Sequence, residues 1–431
     1  MDSSSLIYQV LDLALKSGAQ AAEVFQSEAL SRLVFFETNR LKQLERSQSS
    51  GLALRLWRDG APGLAVAHGP VDAQRLVDKA TALSQLNEPE TIELGKGPAI
   101  AYPDVGAEVS VEQMIDWGEE AIARVRDAYS DVICAAEWEC EAEQTRLVNT
   151  NGLDVSYTDT TLSGYLSAEG IRGDDFLGVS DGQTLRFKLN PSALVNPIVQ
   201  RLQWAETNVD PLVGRLPVLF TSKAADMLWG TVQSALNGKQ VLEKSSPWSD
   251  RRGHQVISSD LNLAQRPQVG PYSCPFDDEG THTRSITLIK DGVLQVFYCD
   301  RTVGTALGTG STGNGFRPGL GGYPTPGLVN LLVQPGSLSF EQLVQSMQNG
   351  LIVDQILGGG AGISGDFSVN VDLGYRVENG SIVGRVKDTM VSGNVYTALK
   401  QVLTLGNDAS WNGACFTPSI VVHGLSVTGR Q

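Results

Sequence analysis

The chain has 431 residues, 41% of them hydrophobic, and carries 33 basic against 48 acidic side chains for a net charge of −15 at pH 7. This length exceeds what one core usually needs, so we expect two domains, and the charge disfavours nucleic acid or an anionic membrane surface as a direct partner. The sequence has no signal peptide, no membrane-spanning apolar run and no Cys-x-x-Cys pair among its five cysteines, which predicts a soluble cytoplasmic protein.

The first half of the chain predicts one structural unit twice. The first copy, residues 1–87, has a helix over 5–17, extended segments at 22–25 and 33–37, a hairpin of 52–57 and 63–67 about Asp59-Gly60, and a helix that begins at Asp72. Residues 88–106 have little periodicity and are interpreted as a linker. The second copy, residues 107–210, has a helix from the capping box at Ser110, a strand at 137–143, a turn at Asn151-Gly152, an extended segment at 157–168 and a helix at 192–204.

Glutamates alternate with apolar residues along the strand at 137–143. Residues spaced by two share one face of a strand, so four carboxylates in a row first suggest metal or acid-base chemistry. No histidine accompanies them in the sequence. We therefore interpret them as the solvated face of a sheet.

The second half, residues 211–431, is predicted to be a β-rich domain. The patterns indicate a strand at 216–220, a helix capped by Ser222 and ending at Asn237-Gly238, a hairpin of 285–289 and 293–298, a helix from Ser339, and sheet at 367–377, 382–386 and 419–427. The predicted fold class is therefore α+β, with an N-terminal α/β region of two repeats followed by a β-rich C-terminal domain.

Four segments of the second half together resemble the TldD/PmbA family. They are residues 275–281 (PFDDEGT), the hairpin about Asp291-Gly292, residues 311–315 (STGNG) and residues 405–408 (LGND), in that order. The resemblance extends over nearly the whole chain and implies subunits that associate as dimers enclosing a cleft. TldD-like members carry a His-Glu-x-x-x-His helix and a later cysteine for a catalytic metal, whereas PmbA-like (TldE) members lack that motif and partner the first class.

This chain resembles the second class, because Trp229, Gly230 and Ser234 stand where the resemblance places the histidine, the glutamate and the second histidine. A catalytic zinc needs about three protein ligands and usually a nearby carboxylate for its water. An indole and a glycine offer no lone pair, and a protonated serine hydroxyl is a poor ligand. Cys415, near the position of the late cysteine, would then be a relic ligand, and we expect zinc in the partner subunit only.

Other sites remain open in the sequence. His254, His282 or His423 could meet Cys415 in a relocated metal site, and Ser245, Ser246, Asp250 and His254 cluster in one stretch without the Gly-x-Ser-x-Gly context of a reactive serine. The segment 308–315 is glycine-rich, but it lacks the Lys-Ser/Thr ending of a phosphate-binding loop, so we interpret it as a mobile loop near a cleft. We predict peptide contacts or structural roles for a last group of residues: Asp277, Asp278, Glu279, Thr281 and Asn314.

The sequence therefore leaves two functions open. The leading hypothesis is a non-metal-binding subunit that pairs with a TldD-like subunit, or forms a homodimer, and shapes a cleft for a peptide or an unfolded protein. Some family members are also described as modulators of DNA gyrase, but the acidic composition does not support direct DNA binding. The alternative is an independent homodimeric peptidase or hydrolase with a non-standard site.

Overall fold

The computed structural model describes residues 3–173, 175–187 and 189–429. In the N-terminal half, the order of a helix, three long strands and a helix occurs twice. The elements are α1 (Ser3–Lys16), β1 (Ala21–Glu37), β2 (Arg40–Arg58), β3 (Ala61–His68), α2 (Ala73–Ser84), β4 (Ala99–Tyr102), α3 (Val111–Ala128), β5 (Ile133–Asn149), β6 (Asp154–Arg172), β7 (Asp175–Leu185) and α4 (Pro191–Trp204).

Local sequence signals explain how several of these elements begin and end. Asp59 and Gly60 both have positive φ, +52° and +78°, which the tight turn between β2 and β3 requires. The side chain of Asp72 accepts a hydrogen bond from the Arg75 amide and so caps α2. Ser110 caps α3 in the same way through the Gln113 amide.

The long strands form one sheet with the order β3-β2-β1-β5-β6-β4, and β7 also pairs with β6. Strand β4 lies inside the predicted linker 88–106 and pairs parallel with the start of β6, from Ala99 opposite Asp154 to Tyr102 opposite Tyr157. That segment is therefore not only a linker. Its short strand alternates exposed and half-buried residues and has too few residues for a periodic signal.

The alternating strand at 137–143 is part of β5 and has the predicted two faces. Trp138 and Cys140 are buried, whereas Glu137 and Glu143 are exposed and Glu139 and Glu141 are half-buried. The predicted solvated face is therefore confirmed for two of its four glutamates. The helices α3 and α4 cover the opposite face, because Met114, Trp138 and Ile198 belong to one buried cluster.

The C-terminal half is rich in short strands, as predicted. Its elements are β8 (Gly214–Phe220), α5 (Asp226–Leu236), α6 (Gly238–Leu242), β9 (Leu263–Gln265), β10 (Ile286–Lys290), β11 (Val293–Leu294), α7 (Arg301–Ala306), β12 (Gly315–Phe316), β13 (Thr325–Pro326), β14 (Leu331–Val333), α8 (Phe340–Met347), β15 (Gly350–Leu357), β16 (Asp366–Glu378), β17 (Ser381–Arg385), β18 (Thr389–Asn394), α9 (Val395–Lys400), β19 (Val402–Leu405), β20 (Ser410–Asn412), β21 (Cys415–Thr417) and β22 (Ile420–Gly429).

Two sheets organise this half. One has the order β15-β8-β22-β18-β16-β17, and an additional pairing of β15 with β16 closes five of its strands into a ring. The other has the order β11-β10-β9-β14-β21-β20. Helix α5 packs between them, since Trp229 shares a buried cluster with Val353 of the first sheet and Leu331 of the second.

Helix α5 begins later than predicted. Ser222 lies in a turn and the helix starts at Asp226. The Ser222 hydroxyl, which the sequence pattern predicted to cap the helix, instead forms a hydrogen bond with the hydroxyl of Ser410, 2.9 Å away. A residue distant in the sequence therefore replaces the predicted local contact. The C-terminal end at Asn237 agrees with the prediction.

One hydrophobic core includes residues from both sides of the domain boundary predicted between residues 210 and 211. One buried cluster contains Trp117 and Trp138 of the N-terminal half together with Ile352 and Tyr375 of the C-terminal half. The two halves are therefore packed against one another. Among the described helices, none is both long and apolar enough to cross a membrane.

Candidate functional site

Helix α5 carries the three positions at which the resemblance implies metal chemistry. Trp229 has no exposed surface, and its indole Nε1 donates a hydrogen bond to the Thr417 hydroxyl, 2.6 Å away. Thr417 lies on β21, the strand that begins at Cys415. The indole therefore fills the space between α5 and this strand with carbon and a satisfied N–H group.

Gly230 and Ser234 lie on a different side of α5 from Trp229. Gly230 is exposed, and a side-chain carbon added there would have no atom within 4 Å. Ser234 is half-buried and donates to the carbonyl of Gly230, 3.1 Å away. Trp229 therefore faces the core, whereas Gly230 and Ser234 face outward. Neither these residue types nor this arrangement fits a zinc site.

Cys415 is buried beside the start of α5. Burial raises the pKa of its thiol, and the nearby Asp226 carboxylate, to which the thiol is hydrogen-bonded, raises it further. The thiol is therefore in its protonated form, which is a poor metal ligand.

The relocated metal site is not assembled. His254, His282 and His423 are exposed, whereas Cys415 is buried. Two of the rings have other contacts, His254 with the Arg252 carbonyl and His282 with the Tyr102 hydroxyl, each at 3.2 Å. Throughout residues 3–173, 175–187 and 189–429, no three His, Cys, Asp or Glu side chains are grouped so that they could hold a metal ion.

The cluster Ser245, Ser246, Asp250 and His254 shows no nucleophile paired with a base among its described contacts. Ser246 is buried and donates to the Ala235 carbonyl, 2.6 Å away, so its hydroxyl anchors the turn after α6. Ser245 donates to Gln240. A reactive serine needs a base at hydrogen-bond distance, and these hydroxyls are used structurally.

The acidic segment 277–281 is buried or half-buried at every position, and its side chains form hydrogen bonds within this chain. Asp277 is fully buried and accepts hydrogen bonds from the amides of Glu279, Thr281 and Gly315. The Asp278 carboxylate accepts from the Arg317 amide, and Glu279 accepts from the Arg301 amide. Thr281 accepts from the Arg301 guanidinium at 3.0 Å.

Burial is the main reason that the three carboxyl groups of this segment have raised pKa values. The pKa is about 6 for Asp277, about 7 for Asp278 and about 8 for Glu279. Their backbone hydrogen bonds favour the charged forms and oppose this effect. Raised carboxyl pKa values occur in functional sites and in structural networks alike, so a peptide contact for this segment stays a prediction.

Asn314 is fully buried and joins three chain segments. Its amide nitrogen donates to Gln265 and to the Gly327 carbonyl, at 2.6 and 2.7 Å, and its oxygen accepts from the Thr312 hydroxyl at 2.7 Å. A strand, β12, follows the glycine-rich segment instead of the helix that a phosphate-binding loop requires.

The acidic segment adjoins a buried ionic junction between the two halves of the chain. Arg317 and Arg55 each place a guanidinium nitrogen 3.0 Å from the same oxygen of Glu23. Glu23 lies on β1 and is 1% exposed. Removing one partner of such a buried group leaves an uncompensated charge, which makes this junction structurally important.

A second polar region lies in a groove between β7 of the N-terminal sheet and the start of α5. Two adjoining cavities, of about 440 and 340 Å³, share the lining residues Ser180, Lys223 and Asn412. Lys223 donates to the Ser180 carbonyl at 2.5 Å, and Gln355 accepts from the Ser180 amide at 2.9 Å. These bonds hold the edge strand β7 against the C-terminal half.

Several buried charged groups contact one another beside this groove. Arg201 contacts Asp181 at 2.5 Å and Asp354 at 2.9 Å. Burial lowers the pKa of Lys223 and raises the pKa of Asp226, which lie on the same cavity.

Sequence reasoning missed the groove and the charged groups beside it. Lys223 lies just before α5 and Asp226 is its first residue, but Arg201, Asp354 and Asn412 lie in segments far from it along the chain. The sequence held one signal for these charged groups, the aspartate within the apolar run of β15, Gly350–Leu357. An aspartate is rarely buried without a partner, so its position in this run indicates a buried charged contact.

Two family models match the chain. One is described as the PmbA/TldA metallopeptidase C-terminal domain and matches residues 213–429; the other is described as PmbA/TldA metallopeptidase domain 1 and matches residues 22–84. The chain belongs to the PmbA/TldD family. The resemblance inferred from the four sequence segments is thus confirmed.

Relatives in this family extend the match. A metalloprotease PmbA from Escherichia coli O157:H7 is 30% identical over 219 residues, which cover 50% of this chain and 46% of that protein. A metalloprotease PmbA homolog from Haemophilus influenzae is 26% identical over 453 aligned positions, which cover 97% of this chain and 94% of the relative. The crystal structure of TldE from Thermococcus kodakarensis has 21% identity and a TM-score of 0.90, covering 98% of this chain and all of that one, so the α+β fold is shared.

Proposed function

We propose that this chain is the PmbA/TldE-like, non-metal-binding subunit of a TldD/TldE-type metalloprotease. It would pair with a TldD-like subunit that holds zinc and would complete a cleft for peptide or unfolded-protein substrates. The proposal depends on one observation, the surroundings of three residues on helix α5. Trp229 is buried against Thr417, and neither Gly230 nor Ser234 offers a suitable ligand for a metal ion.

Two further observations support the proposal. The groove between β7 and α5 is lined by polar and charged side chains from both halves of the chain. The relatives from Escherichia coli and Haemophilus influenzae carry the name metalloprotease PmbA, and the fold is shared with a protein named TldE. A subunit that shapes a groove contributes binding area and positioning, which accelerate a reaction without supplying a ligand to the metal.

Metal analysis and peptide cleavage test the proposal. The purified chain should contain far less than one zinc per molecule and should not cleave unstructured peptides. Addition of a TldD-like subunit should produce cleavage that a chelator abolishes. The Ser234→Ala variant is a matched control on α5 and should change neither the metal content nor the cleavage by the pair.

One result would refute this function. Stoichiometric zinc in the isolated chain, together with chelator-sensitive cleavage of peptides, would identify an independent homodimeric peptidase. Loss of that zinc in Ser234→Ala would place the metal on α5.

A further inference from the structure

The second sheet of the C-terminal half has apolar side chains on the face that points away from α5. Leu331 of β14 and Cys415 of β21 are buried in the same cluster as Trp229, so they point toward the helix. The next residues of these two strands, Leu332 and Phe416, lie directly opposite one another and are only half-buried. Successive residues of a strand point to opposite faces, so this pair lies on the outer face of the sheet.

A cavity of about 420 Å³ lies over this outer face. Its floor includes Ala264, Leu332 and Phe416, which are paired neighbours on β9, β14 and β21. Two cationic residues, Arg266 and Lys290, also line it. The cavity is thus an apolar depression with positive charge beside it.

Trp411 connects this depression to a second cavity. Its ring centroid lies 5.2 Å from that of Phe416, and it packs so closely on Gly270 that an added carbon there would lie 2.2 Å from the indole. Gly270 lines the second cavity, which has a volume of about 440 Å³. Phe187 in its wall is 65% exposed, and Val269 beside it is 51% exposed. The two cavities and the rings between them form one apolar surface, which we call the docking surface.

The charged groups of the docking surface are all cationic, although the chain has a net charge of −15. Among the described residues that line the two cavities, none is an aspartate or a glutamate. Arg186 is ion-paired with Asp159. Arg266 donates to the Gln265 carbonyl at 2.8 Å, and neither Arg266 nor Lys290 has an ion pair among the described contacts. A partner that brings carboxylates would supply the missing charge.

We propose that the docking surface binds the TldD-like subunit, through bulky apolar side chains of that subunit flanked by its carboxylates. Continuous exposed apolar surface of this kind marks contacts between proteins, and aromatic side chains and arginine are enriched in such contacts. A second copy of this chain fits less well. A twofold interface places the same patch on both sides and must be self-complementary, whereas this patch has cations without carboxylates. A small ligand would fill only one of the two cavities.

Because a TldD-like partner belongs to the proposed function, on which this inference rests, the test measures association separately from metal content and cleavage. Isothermal titration calorimetry gives the Kd between the full-length chain and the TldD-like subunit of the same organism. Phe187→Ser should raise this Kd about tenfold or more, since an exposed aromatic anchor is lost. Leu86→Ser is the matched control, because Leu86 is 80% exposed and lies outside both cavities, and it should leave the Kd unchanged.

A charge reversal tests the expected carboxylates of the partner. Lys290→Glu should raise the Kd about threefold or more at low salt, and the difference from the unmodified chain should shrink at high salt. Lys400→Glu reverses an exposed charge at the end of α9, outside both cavities, and should have no such effect. All four replaced side chains are exposed, so thermal melting should show folded variants with unchanged midpoints.

Three results would overturn the assignment of this surface. The first is an unchanged Kd in both Phe187→Ser and Lys290→Glu. The second is a dimer of the isolated chain, seen by analytical ultracentrifugation, that Phe187→Ser dissociates, since the occupant would then be a second copy. The third is normal association of Phe187→Ser together with a raised KM for peptide cleavage by the pair, which would identify a substrate site.

The two proposals fail in distinguishable ways. A chain that pairs with the TldD-like subunit and supports cleavage, but whose variants pair equally well, refutes only the docking surface. A chain that contains stoichiometric zinc and cleaves peptides alone, yet loses its partner in Phe187→Ser, refutes only the metal-free function. Absence of any association in the unmodified chain refutes both.

Discussion

At the scale of the residue, Trp229 packs in the core at a position where the family resemblance places a metal ligand. Trp229 is among the largest fully buried side chains of the described residues, and its N–H group is satisfied by Thr417. Its neighbour Gly230 is exposed and contacts nothing that a methyl group would displace. Adjacent positions on one helix therefore tolerate change very differently.

We expect Trp229→Ala to lower the free energy of unfolding by about 3–5 kcal/mol, because it creates a cavity between α5 and β21. Gly230→Ala should be neutral or stabilise the protein by up to about 1 kcal/mol, since alanine is the better helix former at an open position. Chemical denaturation of the two variants measures both effects. Equal losses of stability would contradict the assigned orientation of α5.

At the scale of the element, close approach of α2 to β3 depends on a glycine. A side-chain carbon at Gly63 would lie 1.9 Å from the Ala80 carbonyl oxygen and 2.8 Å from the Ser84 amide nitrogen. These are backbone atoms of α2 that cannot turn away as a flexible side chain can. The first helix–strands–helix unit therefore requires glycine here for packing.

We predict that Gly63→Ala lowers the free energy of unfolding by about 1–3 kcal/mol, because α2 must move off the sheet. Gly170→Ala is the matched control on strand β6, where the nearest atom would be Val132 Cγ1 at 3.8 Å. Thermal melting of both variants should show a clear loss only for Gly63→Ala. A control that is as unstable as Gly63→Ala would mean that any strand glycine has this effect.

At the scale of the whole molecule, buried carboxyl groups lie where the two halves meet. Gly280 packs so closely on Leu153 of the N-terminal half that an added carbon would lie 2.2 Å from its Cδ2, and Asp278 accepts from the amide of Arg317, which contacts Glu23. The junction therefore combines apolar contact with ionisable groups. Its stability should depend on pH.

The raised pKa values of about 7 for Asp278 and about 8 for Glu279 fix the sign of that dependence. The folded state holds protons that the unfolded state has released, so the stability contributed by these two groups is greatest below the ordinary carboxyl pKa and is lost as the pH rises through about 7 to 8. We expect the melting temperature to be higher at about pH 5.5 than at about pH 8.5, by roughly 5 °C or more.

The double variant Asp278→Asn/Glu279→Gln should reduce this slope, because the replaced groups no longer titrate. Asp154→Asn is the control, since Arg146 holds the pKa of Asp154 below its ordinary value and its titration has the opposite sign. A slope unchanged in the double variant would show that these carboxyl groups do not link pH to stability.

Much of the fold could be predicted from local patterns. The cap at Asp72, the turn at Asp59-Gly60 and the alternation of buried and exposed residues in β5 depend on neighbours within a few positions, and each was read correctly. The two extended segments predicted at 22–25 and 33–37 belong to one strand, β1. They were predicted separately because the half-buried residues between them show no alternation of buried and exposed positions. Strands β7 and β15 were not predicted as separate elements.

The sequence by itself determined the family, the repeated N-terminal unit and the residue types on helix α5, because motif order and periodicity are properties of the chain. Only the tertiary structure decided which distant groups meet. Arg317 contacts Glu23 across 294 positions, Trp229 contacts Thr417 across 188, and Lys223 contacts Ser180 across 43. Such pairs form because sheets and helices pack in three dimensions, so their contacts, burial and charge balance follow from packing and not from spacing along the chain.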